Sequence, residues 1–228
     1  MLKIVIPARS GSKRVPDKNI KPVIPGKRTI DIVIDNCKLA FPFSEIIVST
    51  DYPMDKFQKY KKSEMVKFHK RSPESANDTA TLADVLKEVM SDHPASTYLM
   101  VLPTSILATP KMMQLANKVY KTNKKTSLFC ACKYGHPIHR AITISPTRDI
   151  TFTNKDKMQS QTQAFKDHYF DAGQFYYVSY GQIKNDGLIL TDNSYPYIIN
   201  EHQFQDIDNE SDFIAARQKY ILSLLKTL

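Results

Sequence analysis

Four cations, Arg9, Lys13, Arg14 and Lys18, fall within ten residues of one another, around Gly11 and the hydroxyls of Ser10 and Ser12. Such a stretch suits an anion. The guanidinium and ammonium groups bring charge, and small residues leave backbone N–H groups free to approach phosphate oxygens. Residues 9–28 hold seven Lys and Arg against one Asp, so +6 of the net +9 lies in twenty residues. A second set lies far along the chain. Asp206 and Asp208 are two apart, and on an extended segment both carboxylates face one side. Paired hard oxygen donors suit Mg²⁺, which takes one or two carboxylates and keeps phosphate oxygens and waters for the rest. The same pair also reads as an acidic helix start. A phosphate-type loop together with the pair favours chemistry on a metal-bound polyphosphate.

Three shorter stretches add polar groups. Val48-Ser49-Thr50-Asp51 ends an apolar run, and Asp51 reads equally as a ligand or as a helix cap. Arg71-Ser72-Pro73 precedes Asn77-Asp78-Thr79-Ala80-Thr81. The donor fork of Arg71 suits a base or a phosphate, and Asp78-Thr79 predicts the N-cap of the following helix. Leu102-Pro103-Thr104-Ser105 places small hydroxyls where they could line a sugar pocket.

Elements must position these groups. The apolar run 2–6 predicts a buried first strand, whose carboxyl end delivers the cation loop where α/β proteins bind phosphates. Runs 45–50, 97–102 and 127–132 predict further strands. Ile30, Val33, Ile34, Cys37 and Phe41 recur at helical spacing, as do Leu82, Val85, Leu86, Val89 and Met90. Thr109-Pro110 predicts an N-cap with proline at the first helical position, opening a helix through Tyr120. Residues 209–225 predict a last amphipathic helix with Phe213, Ile221, Leu224 and Leu225 inward. Alternating strands and helices imply a parallel sheet covered on both faces. The alternation lapses between about 134 and 168, where 140–145 and 150–153 predict a hairpin excursion, an oligomerisation arm or a substrate lid.

Composition sets bounds. The 228 residues, 42% of them hydrophobic, suffice for one sizeable domain. No stretch approaches the ~18 consecutive apolar residues of a membrane span. The chain enters a strand at once without a charged leader and apolar core, so no signal peptide is expected. Cys37, Cys130 and Cys132 cannot all pair, and Cys130-x-Cys132 lacks two further zinc ligands. Reduced buried thiols in a cytoplasmic protein are expected. Nucleic acid would also suit a basic protein, but the charge sits in one loop and no zinc-finger, RNP or basic heptad pattern accompanies it.

The residues also carry a resemblance. Ala8-Arg9-Ser10-Gly11-Ser12-Lys13 with Pro16-Asp17-Lys18-Asn19, then Val48 to Asp51, Arg71 to Thr81, Pro103-Thr104-Ser105 and Asp206-Ile207-Asp208, resembles the acylneuraminate cytidylyltransferases along nearly the whole chain. Pro137-Ile138-His139-Arg140-Ala141 and the stretch from Tyr169 to Tyr176 resemble the pseudaminic acid branch. Ser10 stands where that family commonly has glycine. Ile106 and Ala108 replace its usual Pro and Arg, and Gln159 stands at an arm position that is usually Arg. The resemblance implies a three-layer α/β/α nucleotidyltransferase over residues 1–228, Rossmann-like, with a mostly parallel sheet and a protruding dimerisation arm at about 134–172. It implies CTP and a nine-carbon 2-keto sugar acid as substrates, Mg²⁺ as cofactor on Asp206 and Asp208, and a homodimer without nucleic acid or membrane. Arg9, Lys13, Lys18, Asp206 and Asp208 would be catalytic. Nucleotide contacts would come from Ala8 to Lys13, Asn19, Arg71, Ala76, Asp78, Thr79 and Thr81. Sugar contacts would come from Thr104, Ser105, His139, Arg140 and Gln174. Sialic or legionaminic acid, or another keto-deoxy sugar acid, stays open as the substrate. A non-catalytic nucleic-acid-binding protein is the alternative from another class.

Overall fold

In the computed structural model, which describes residues 1–225, β1 (Leu2–Ala8) runs into the cation loop. A small hairpin follows, β2 (Pro22–Ile24) with β3 (Lys27–Arg28), then α1 (Thr29–Ala40), β4 (Ile46–Thr50) and β5 (Val66–Lys70). The one-turn helix α2 (Pro73–Ala76) precedes α3 (Leu82–Asp92), β6 (Thr97–Val101), α4 (Pro110–Thr122) and β7 (Ser127–Lys133). Residues 134–168 leave the sheet and hold the hairpin of β8 (Ile142–Ile144) and β9 (Ile150–Phe152). The chain returns as β10 (Tyr169–Ser179), α5 (Tyr180–Asp186), β11 (Ser194–Ile199) and α6 (Glu210–Leu225).

Seven strands form one sheet in the order β11-β7-β10-β6-β1-β4-β5, parallel except for β10, which pairs antiparallel with both neighbours. Strand alternation sorts the core into two layers. Ile4, Ile6, Ile46 and Val48 face α1 and α4, which contribute Ile30, Val33, Ile34, Met112 and Met113. Val5, Ile47, Tyr98 and Met100 face the other way, against Leu86 and Val89 of α3 and Ile183 of α5. Because both faces are covered, the strands read as continuous apolar runs.

Two consequences bear on the site. β4 lies on one side of β1 and β6 on the other, so the loops leaving β1 and β6 diverge and open a crevice at their carboxyl ends. β10 runs opposite, so its first half returns to that same end, with the Gln174 carbonyl accepting from Leu102 N–H just past β6. A third, smaller core then joins the two chemical segments. Val15 of the cation loop and Ile207 of the Asp-Ile-Asp motif are both buried, with Ile32, Ile106, Leu107, Phe213 and Ala216. Each of the larger of these side chains contributes roughly 1.5–3 kcal/mol by burial.

Several expectations need correction. The cap of α3 is Thr81, not Asp78-Thr79. Thr81 Oγ1 accepts from Asp84 N–H, and the Asp84 carboxylate accepts from Thr81 N–H. Asp78 is drawn into ion pairs instead, and Thr79 gives both its N–H and its hydroxyl to Asn77 Oδ1. On α6 only Phe213 and Ala216 are buried; Ile221, Leu224 and Leu225 are exposed because the helix outruns the small core beneath it. The excursion ends at 168, since Tyr169 to Asp171 already pair with β7. Thr109 caps α4 as expected, accepting from Met112 N–H, and the helix runs on to Thr122. The three cysteines are buried and carry no disulfide. No helix among the described residues is long and apolar enough to cross a membrane.

Candidate active site

The cation loop is bolted down rather than loose. Asp51, just past β4, accepts from Ser10 N–H at 2.7 Å and from Ser10 Oγ at 2.6 Å. Asn19, buried, donates to the Arg9 carbonyl at 2.8 Å and so closes the loop on itself. Thr29, the first residue of α1, donates to the Lys18 carbonyl, and Tyr52 donates to Asp17, which adopts a left-handed φ of 53°. Aspartate tolerates that region better than most residues. Ser10 has no positive φ, so serine sits there without backbone strain. A Cβ on Gly11 would meet nothing within 4 Å, so packing within the chain does not require that glycine.

A cleft of about 540 Å³ lies along this crevice. Arg9, Lys13, Lys18 and Asn19 line it from the cation loop, Arg71, Asp78 and Thr81 from beyond β5, Thr104 from beyond β6, and Asp206 with Asp208 from the segment before α6. Its cations have carboxylate or carbonyl partners already. Arg9 and Lys13 both reach Asp78, at 2.7 and 2.5 Å, and these two cations hold its carboxyl below the usual range. Arg14 pairs with Asp208 at 2.6 Å, and Lys18 Nζ donates to the Ile207 carbonyl at 2.6 Å. The loop therefore reaches across the cleft to both of its far walls.

Arg71 is different. It is 6% exposed, and among the described residues no carboxylate lies within ion-pair distance. Its Nε donates to Ser49 Oγ at 3.4 Å and its Nη2 to the Ser49 carbonyl at 3.3 Å. Burial pushes its pKa down to about 10. Asp51 and Glu88 act on it from beyond contact distance, and a buried guanidinium with no carboxylate in contact is costly unless something satisfies it. Its cleft position lets a ligand acceptor do so.

The carboxylates form a complementary wall. Ile207 is fully buried while Asp206 and Asp208 on either side of it reach the cleft, as expected of an extended segment. Among the described residues, no hydrogen bond or ion pair engages the Asp206 carboxylate. No group of three or more metal-ligating side chains occurs there either. The protein thus offers two hard oxygen donors, one of them unengaged, facing a cationic phosphate-type loop, a donor set that a divalent cation bound to a polyphosphate would complete.

Comparison with known proteins follows the same line. Residues 3–217 match the cytidylyltransferase family. The chain belongs to that family. It is 27% identical over 95% of its length to a pseudaminic acid cytidylyltransferase of Campylobacter jejuni, covering 94% of that protein. It is also 27% identical to an N-acylneuraminate cytidylyltransferase of Streptococcus agalactiae, of which it spans about half (51%) and which covers 92% of this chain. Among solved structures, a CMP:2-keto-3-deoxy-manno-octonic acid synthetase complexed with CTP superposes with a TM-score of 0.69 at 16% identity, covering 97% of this chain and 99% of that one. That likeness concerns the fold alone, an α/β architecture shared along nearly the whole of both chains.

Within this cytidylyltransferase, not every expected residue meets at the cleft. Ala8 is the buried last residue of β1, Ala76 ends α2, and Ser12 reaches the cleft while Ser10 and Gly11 lie behind it on the loop. Ser105 is buried and donates to the Gln174 carbonyl at 2.8 Å. Gln174 is buried too; its Nε2 donates to the Gln203 carbonyl, and its Oε1 has no partner among the described residues. His139 and Arg140 sit in the excursion, away from the cleft. The His139 ring lies 5.1 Å from Phe165 and 4.9 Å from His168, and Arg140 donates to the Ser160 carbonyl over the Phe165 ring. Sequence reasoning missed the pairing of Arg14 with Asp208 and the role of Asp51 as an anchor for Ser10. Arg14 was visible as one more charge in the run; nothing in the sequence distinguished it from its neighbours.

Proposed function

We propose that this cytidylyltransferase joins CMP from CTP to a nine-carbon 2-keto sugar acid, pseudaminic acid, releasing pyrophosphate. The observation that carries the reading is Arg71, a buried guanidinium with no carboxylate in ion-pair contact among the described residues, in the cleft that also holds the cation loop and the Asp206/Asp208 pair. Arginine is donor-only, so it fits the O2 and N3 acceptors of cytosine; uracil offers a donor at N3 instead. Similarity to the Campylobacter enzyme along 95% of the chain supports pseudaminic acid, and similarity to the streptococcal enzyme supports sialic acid as the second choice.

In this reaction the sugar's anomeric hydroxyl attacks the α-phosphorus, the bond from that phosphorus to the bridging oxygen breaks, and pyrophosphate takes the electron pair. The protein's tasks are positioning and charge neutralisation. Arg9 and Lys13 exchange Asp78 for the triphosphate, so the nucleotide enters by replacing one anion with another. Lys18 holds the Ile207 carbonyl and keeps the carboxylate segment against the loop. Asn19, with Asp78 and Thr81, borders the ribose and base. Asp206 and Asp208 would hold Mg²⁺, which when bound supplies positive charge to the phosphate oxygens and acidifies a nearby hydroxyl. Thr104, on the cleft wall beyond β6, faces the sugar side. The excursion, with Ile142, Ile144 and Ile150 exposed, supports a homodimer in which a second copy covers those side chains. Buried unpaired thiols fit a cytoplasmic setting.

The test is pyrophosphate release from CTP with a panel of pseudaminic, sialic, legionaminic and eight-carbon keto-deoxy acids. Turnover fastest with pseudaminic acid supports the reading. Turnover only with another member corrects the sugar. No turnover with any, together with salt-sensitive retention of duplex DNA, would favour the nucleic-acid alternative.

A further inference from the structure

Behind Arg71 lies a set of polar side chains that the reaction does not use directly. Ser49, fully buried, stands between Arg71 and His69, which is 6% exposed. Its Oγ lies 3.2 Å from His69 Nδ1 and accepts from Arg71 Nε at 3.4 Å. On the far side of the ring, His69 Nε2 faces the carboxylates of Glu88 at 3.7 Å and Asp92 at 3.9 Å. Glu88 also accepts from Ser72 N–H at 2.8 Å and from Ser72 Oγ at 3.2 Å. One α3 carboxylate thus steadies the residue after Arg71 and the ring two residues before it.

Donor and acceptor counting fixes the first bond of this chain, and the charges around the ring favour one direction for the second. Arginine Nε can only donate, so Ser49 Oγ must accept from it. The Glu88 and Asp92 carboxylates facing Nε2 favour the tautomer with the ring's proton there, and in that tautomer Ser49 Oγ gives its single proton to the lone pair of His69 Nδ1. Burial holds the ring's pKa below its usual value, against the pull of those two carboxylates, and His93 and Arg71 on its other sides act in the same direction as burial.

We propose that Ser49, His69 and Glu88 are positioning residues that aim the Arg71 guanidinium at the nucleotide base and so set affinity for CTP. The proposal rests on the cytidylyl-transfer reading only for the identity of the ligand. Both bonds to Arg71 are long, so its direction depends on Ser49 being fixed.

The experiment is CTP binding by calorimetry to the full chain, with melting temperature recorded for every variant. Arg71→Ala is expected to weaken binding by about 10- to 100-fold, the range for hydrogen bonds from a charged group. Ser49→Ala and His69→Leu are each expected to weaken it several-fold, to about tenfold. His69→Asn, which keeps an acceptor near the Nδ1 position, should restore most of that loss. In the Arg71→Ala background neither Ser49→Ala nor His69→Leu should weaken binding further, because they act through Arg71. A purely structural role would lower melting temperature and would add its loss in that background. Additive losses, or wild-type affinity in Ser49→Ala and His69→Leu, overturn the relay while leaving CTP as substrate. Should His69→Leu not fold, Ser49→Ala, which removes one oxygen, decides alone. A wild type that binds no CTP overturns the cytidylyl reading and, with it, the base-aiming role.

Discussion

The cation loop and the excursion at 134–168 are both polar, basic and poor in long periodic segments, yet the structure treats them oppositely. The loop is tied at Ser10 to Asp51, at Asn19 to the Arg9 carbonyl and at Lys18 to Thr29 and Ile207, with Val15 sunk into a small core. The excursion is held mostly by its own members: two three-residue strands, a Ser145–Thr147–Asp149 turn, and His139 and Arg140 on Phe165. Its isoleucines at 142, 144 and 150 stay exposed. One chain therefore ties down the cation-loop side of its cleft with its own residues. The excursion presents apolar surface that a second copy would have to cover.

The sharpest way to break this contrast is at the carboxylate wall. Asp206→Asn should lower turnover by roughly 10²–10³, or ~2.7–4 kcal/mol, with melting temperature unchanged, since its carboxylate holds nothing among the described residues. Pyrophosphate release and thermal melting together read this, and near-normal turnover would remove the wall's role.

A smaller effect is expected at the far end of the loop. Asp31, buried at the start of α1, accepts from the Arg28 side chain and from Tyr60, and these bonds outweigh burial to hold its pKa at about 2 against an ordinary 3.8. A depressed carboxylate stabilises the fold above its unfolded value and loses that contribution as pH falls through the folded one. Asp31 should therefore contribute about 2 kcal/mol at neutral pH. Urea unfolding of wild type and Asp31→Asn should differ most above pH about 4 and converge toward pH 2. A gap that does not change with pH would refute the assignment.

Smaller again is Ser10→Gly. It deletes the bond from Ser10 Oγ to Asp51 but keeps the one from N–H, so KM for CTP should rise a few-fold, about 0.5–1.5 kcal/mol. The least effect, none on CTP affinity, is expected from Ile142→Asp with Ile144→Asp in the excursion. Sedimentation should show a monomer, calorimetry an unchanged CTP affinity, and turnover should fall. Loss of CTP binding in that variant would erase the contrast between the two regions.

Much of the cation-loop side of the cleft was legible in the sequence because its signals are local. A charge run after an apolar strand, an Asp-x-Asp pair and Thr109-Pro110 each declare themselves within a few residues. Asp78 misled because Asp-Thr is a good cap in isolation, while here two cations from the first loop claim it and Thr81 does the capping. The antiparallel β10 was seen only as a motif. Its bulge at Gly173, with φ of 59°, interrupts the alternation that announces a strand. The inward face expected on α6 failed because periodicity shows that a stripe exists and not whether anything packs on it. The Ser49–His69–Glu88 set could not be read at all, since its members come from three different elements.

The central claim is transfer of CMP to the sugar acid, and labelling tests it most directly. With CTP carrying label at the α-phosphorus and pseudaminic acid as acceptor, the account requires the label in a CMP–sugar conjugate of the expected mass and unlabelled pyrophosphate in equal amount. Label that stays in CTP, or leaves as free CMP without a conjugate, would contradict it.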